Sequence, residues 1–81
     1  MRLVYEDIVD FLASAPSPER ILKHKASPKV QARVHELVQR KKHSTLHKED
    51  NDELATFLML EHIMRLAKAK AAIRLKQESS N

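Results

Sequence analysis

Apolar residues recur at helical spacing along nearly the whole chain. Leu3, Val4, Ile8, Phe11 and Leu12, with Tyr5 and Val9 beside them, predict a first helix over about residues 3–14, stopped by Pro16. Ser17-Pro18-Glu19 then reads as a helix start: Ser is a good N-cap, Pro suits the first helical position, and an acid suits the first turn. Only Ile21 and Leu22 follow as large apolar residues, so this helix is short, about 17–25. Ser27-Pro28 repeats the signal and opens a third helix, 28–42, with Val30, Val34, Leu37 and Val38 on one face. The two Ser-Pro starts open segments of different length and do not define a repeat. After the hinge Thr45-Leu46-His47, with Thr45 or His47 as N-cap, a long stretch without Pro or Gly predicts a fourth helix over about 48–76. Its first turns are acidic and its last turns basic, as the peptide dipole favours. The polar residues 77–81 are expected to fray. The pattern is that of an all-α single domain, 1–81, in which three shorter helices pack on a long fourth.

The long helix carries more apolar surface than one packed face requires. On a helical wheel Leu54, Phe57, Leu58 and Met64 fall on one side and Met59, Leu60, Ile63 and Leu66 on the other, separated by a narrow strip with Glu61, Arg65 and Lys68. Either the other helices wrap it completely, or the second face meets another chain. Length favours the second. A helix of about 28 residues is about 42 Å long, whereas a compact chain of this size has a radius of gyration of about 12 Å. The basic end, Lys68 to Lys76, is therefore expected to run past the globule.

Composition narrows the class. Eighty-one residues bury a modest core, so a partner or a self-dimer is a reasonable expectation. There is no Cys, hence no disulfide or thiolate metal site, which suits a reducing compartment. No apolar run is long enough to span a bilayer, and the acid-broken start MRLVYEDIVDF does not resemble a secretion signal. The expected location is the cytoplasm. The net charge of +4 is distributed in alternating blocks. Residues 1–19 and 49–61 are acidic; residues 20–48, with nine Lys/Arg against Glu36, and 62–81 are basic. Alternation favours pairing within the fold or across a dimer, where a uniformly basic chain would favour nucleic acid.

Phe11-Leu12-Ala13-Ser14, Pro16, Pro18-Glu19, Ile21, Ser27-Pro28 with Gln31 and Arg33, and Thr45-Leu46 with Glu49 and Glu53-Leu54 form a distinctive pattern. Its most specific part is Leu60-Glu61-His62 followed by Met64-Arg65-Leu66-Ala67-Lys68-Ala69. Together these residues resemble a family of short, uncharacterised bacterial helical proteins associated with antitoxin-like partners of small nuclease toxins. The resemblance covers about residues 7–74 and implies a binding protein. One departure concerns the turn before Thr45-Leu46, where the family usually has Gly and this chain has Ser44. The chain contains no Gly, so Ser44 or His43 must take a left-handed conformation there, or the turn has another shape.

No catalytic constellation emerges. His43 and His47 are separated by the hinge and lack an H-E-x-x-H pattern, so neither a metal nor a cofactor is expected. Glu49, Asp50, Asp52 and Glu53 could suggest a metal-nuclease cluster, but four acids in one opening turn are better read as dipole partners and solvated surface. Ser14, Ser17, Ser27 and Ser44 have cap or turn roles and no base partner. His62, inside the long helix, is read as a packing residue or an interface residue.

The chain is therefore read as a non-enzymatic protein-binding subunit, most concretely an antitoxin-like protein that occludes a toxin through its long helix. The expected interface residues are Phe57, Met59, Leu60, His62, Ile63, Leu66, Lys68, Lys70, Ile73 and Arg74. One alternative is a DNA-binding or autoregulatory module using Lys23, Lys25, Lys29, Arg33, Arg40, Lys41 and Lys42, although the chain has three aromatics and no recognisable base-reading motif. The other is a simple homodimer whose long helices pair.

Overall fold

A computed structural model describes residues 3–79, and these form four helices: α1 (Glu6–Ala13), α2 (Pro18–Lys23), α3 (Pro28–Lys42) and α4 (Lys48–Ser79). The fold is all-α, with the long C-terminal helix packed against the shorter ones. Both Ser-Pro starts cap as the sequence predicts. Ser17 Oγ accepts from Arg20 N at 3.3 Å and Ser27 Oγ from Val30 N at 3.2 Å, each followed by Pro in the first helical position. His47 precedes α4, and its carbonyl accepts the first helical bond from Asn51 N.

Three boundaries depart from expectation. Helix α1 starts at Glu6 rather than residue 3; residues 3–6 form a turn closed by Glu6 N–H to Leu3 O, and the backbone N–H of Val4 donates to the carboxylate of Glu53. Helix α2 ends at Lys23; His24 has an extended backbone, and its carbonyl accepts from Lys68 Nζ at 2.8 Å. Helix α4 extends past Lys76 to Ser79, whose hydroxyl donates to Leu75 O. Residues 80 and 81 of the expected tail, and Arg2 of the first acidic block, lie outside the described residues.

The turns close without glycine. At the end of α3, Thr45 N donates to Arg40 O and Ser44 N to Lys41 O, the paired bonds of a Schellman motif. Ser44 sits at its left-handed position with φ 57°. Ala15, after α1, has φ 52° and donates its N–H to Leu12 O. The next residue, Pro16, has no N–H to complete the second bond.

The core lies between the α1–α3 layer and one side of α4. Val4, Ile8, Phe57 and Met64 are buried together, with Phe11, Ile21, Val30, Val34 and Leu60 packed against them. Leu37 and Leu54 are fully buried on the two helices that flank the Ser44 turn. The molecule is elongated, 54 × 22 × 19 Å, with a radius of gyration of 15.2 Å. A 32-residue α4, about 48 Å long, accounts for the long axis.

Candidate interaction surface

The inward side of α4 is set by Phe57, Met64 and Ala71, which are seven residues apart and all buried. Leu60 lies three residues beyond Phe57 and four before Met64, so it falls on the same side and is half-buried in the core. Leu58 falls away from it and is exposed. These two leucines therefore sit on the faces opposite to those the wheel suggested. The core extends as far as Ala71, so the free end of α4 begins after that residue rather than at Lys68.

Of the ten residues expected at an interface, three are committed inside the molecule. Phe57 is 6% exposed and belongs to the core. Leu60 packs against that core. Lys68 is half-buried and holds the C-terminus of α2 through His24 O. The other seven, Met59, His62, Ile63, Leu66, Lys70, Ile73 and Arg74, are exposed. Their large apolar members are well exposed: Met59 57%, Ile63 44%, Leu66 54% and Ile73 57%. With Leu58 they form an apolar strip along the side of α4 that α1–α3 leave uncovered. His62 lies on this strip, not in a helix-packing position. Lone exposed hydrophobics are ordinary; a continuous row on one rigid helix is a candidate contact surface.

Two of the basic residues of α2 and α3 are ion-paired within the fold. Arg33 is turned inward. Its guanidinium lies 3.2 Å from Asp50 Oδ1, 3.5 Å from Glu53 Oε1 and 3.4 Å from Glu36 Oε1. Arg40 bridges Glu36 and Asp50 at 3.6 Å each. Arg33 is withdrawn from the expected nucleic-acid footprint because α4 brings its acidic first turns against α3, while Arg40 stays partly exposed with its charge offset by Glu36 and Asp50. Burial lowers the Arg33 pKa, but the charges of Glu53, Glu36 and Asp50 more than reverse this and hold it above its ordinary guanidinium value. The exposed Lys29 and Lys41 are about 18 Å apart along α3, and Lys23 and Lys25 lie beyond its start.

The opening acids of α4 are likewise split. Asp50 and Glu53 pair with Arg33, and Glu53, 5% exposed, is buried rather than solvated. Glu49 and Asp52 are exposed. Among the described residues no group of three or more His, Cys, Asp or Glu could hold a metal ion, and no helix is long and apolar enough to cross a membrane. A groove of about 380 Å³ between the amino-terminal segment and α3 includes Leu3, Val4, Asp7, Val30 and Arg33 in its walls, with Arg33 already ion-paired. It gathers no catalytic set.

Compared with known proteins, the chain matches no protein-family model, no curated protein and no solved structure.

Proposed function

We propose that the protein is a non-enzymatic binding subunit whose working surface is the outward side of α4. In its most concrete form it is an antitoxin-like protein that neutralises a partner toxin of the nuclease kind, in the cytoplasm. The observation that carries the binding reading is the exposed row Met59, Ile63, Leu66 and Ile73 on a helix whose opposite side is fixed in the core. Such a row suits helix-in-groove recognition. Each large apolar side chain fully buried at a contact is worth about 1.5–3 kcal/mol. A preorganised helix loses little entropy on docking. Lys70 and Arg74 extend the row with positive charge and suit acidic groups on a partner, including the metal-binding acids of a nuclease. The antitoxin reading itself rests on the sequence resemblance described above.

The test is co-expression with the product of the adjacent gene and recovery on a tag. Retention of that product by the wild type and loss with Ile63→Asp, at unchanged helix content, supports the reading. Failure of the wild type to retain it, or equal retention by Ile63→Asp, overturns it. The nucleic-acid alternative is disfavoured by the internal pairing of Arg33 and Arg40. DNA binding that weakens steeply with salt would restore it, and no binding at low salt would remove it.

A further inference from the structure

We infer that, when no other partner is present, the outward side of α4 is occupied by a second copy of the same chain, with the two α4 helices antiparallel. The inference rests on the reading of this side as a docking surface and names its occupant.

The spacing is that of a coiled-coil seam. Ala55, Met59, His62, Leu66, Ala69 and Ile73 follow one another at alternating steps of four and three, and all six are exposed. In heptad terms Met59, Leu66 and Ile73 take one core position, and Ala55, His62 and Ala69 take the other. Leu58 and Ile63 flank the seam and widen its apolar band. From Asp52 to Lys76 the stretch is about 36 Å long, a little over three heptads, which is enough for a short two-stranded pairing.

Two features choose the orientation. The first is charge. The exposed acids Glu49 and Asp52 lie near the start of α4, and Lys70 and Arg74 near its end. Parallel pairing sets acids against acids and bases against bases. Antiparallel pairing sets each acidic end against the other copy's basic end and also opposes the two peptide dipoles. The second feature is size. With the helices antiparallel and centred on Met64, Met59 faces Ala69 of the second copy, Ile73 faces Ala55, and Leu66 faces His62. Each large aliphatic thus meets a smaller or flatter side chain, the alternation that lets a core interdigitate. In the parallel arrangement the same layers put alanine on alanine at two levels and leave gaps. The next layer outward in the antiparallel arrangement brings Asp52 opposite Lys76 of the second copy. Because α1–α3 occupy only the other side of α4, the seam is open along its length. A toxin that uses this surface would compete with self-pairing.

The chain has no Cys, so introduced ones report orientation without background. Sedimentation equilibrium of the wild type should give twice the chain mass. Leu66→Glu, at a position 54% exposed in one copy, should weaken association at least tenfold without loss of helix content. Under mild oxidation, Ala55→Cys mixed with Ile73→Cys should give the mixed disulfide, and neither variant alone should cross-link. A wild type that stays monomeric, a Leu66→Glu variant that stays dimeric, or Ala55→Cys cross-linking to itself each overturns the inference. A monomer that still retains the adjacent gene product through Ile63 removes self-pairing and leaves the antitoxin-like reading standing. A dimer with the antiparallel cross-linking pattern that retains no such product does the reverse.

Discussion

Glu53 and Val4, 49 positions apart, are joined by a 3.1 Å hydrogen bond from the Val4 backbone N–H to the Glu53 carboxylate. The same carboxylate faces Arg33 at 3.5 Å. One buried side chain therefore ties the amino-terminal segment, α3 and α4 together. Glu53→Ala removes an acceptor from a buried N–H and a counter-charge from a mostly buried guanidinium. We expect a loss of about 2–3 kcal/mol, measured as a lower denaturant midpoint. An exposed acid such as Asp52 changed to Ala should cost far less in the monomeric Leu66→Glu background.

Arg33 gives a pH signature. Its pKa is raised in the folded state, so the stability it contributes is fully present below the ordinary guanidinium range and is lost only as the pH rises through the raised value. It adds no pH dependence near neutrality. Lys at this position would titrate about two units lower and could not fork between Asp50 and Glu53. The same three carboxylates would hold that ammonium above the ordinary lysine value of about 10.4, so for Arg33→Lys we expect a deficit in unfolding free energy that is constant up to about pH 10 and widens above it. A deficit that does not widen would show that geometry, not charge, sets the effect.

The two left-handed turn residues are open to improvement. Ser44 at φ 57° and Ala15 at φ 52° hold conformations that cost a residue with a Cβ about 1 kcal/mol. Ser44→Gly and Ala15→Gly should each raise stability by no more than about 0.5 kcal/mol after the added chain entropy is counted. The gains should be nearly additive, because the two turns share no hydrogen-bond partner. Thermal melts of the two single variants and the double variant measure this.

Helix α2 is held from outside. It contains no buried residue and relies on neighbours. Lys68 anchors the carbonyl of His24, the His24 ring stacks on Phe11 at 4.3 Å, and the Arg20 guanidinium lies 5.5 Å from the Phe11 ring centre. Replacing Lys68 with Met keeps the aliphatic stem and removes the donor. We expect tryptic cleavage after Lys23 and Lys25 to accelerate about fivefold, the equivalent of roughly 1 kcal/mol of local opening. Global stability should change less.

Local signals placed most of the fold. The Ser-Pro caps and the one-sided stripe of α3 located that helix at its observed bounds, and the excess of apolar positions between Leu54 and Leu66 announced an uncovered side on α4. Other features were not legible because they depend on distant residues. Nothing near Val4 indicates that its N–H will meet Glu53. Nothing in the lysine- and arginine-rich run of α3 separates Arg33, which pairs inward, from the exposed Lys41 and Lys42. Ala71, buried at 5%, lies in a run of alanines and bases with no apolar mark of its own. The sides taken by Leu58 and Leu60 followed only once Phe57, Met64 and Ala71 had fixed the rotation of the helix.

That rotation makes α4 intolerant of insertions in its middle. Phe57, Met64 and Ala71 form one ridge and Met59, Leu66 and Ile73 another, both read from a single rigid rod. One extra residue between Leu60 and Met64 would turn everything after it by about 100°. Both ridges would break at the same point, so the core and the outer strip cannot vary independently by changes in length. Extra turns added after Ser79 disturb neither ridge. The helix can therefore grow at its end, while its central part must keep its residue count and can change only by substitution.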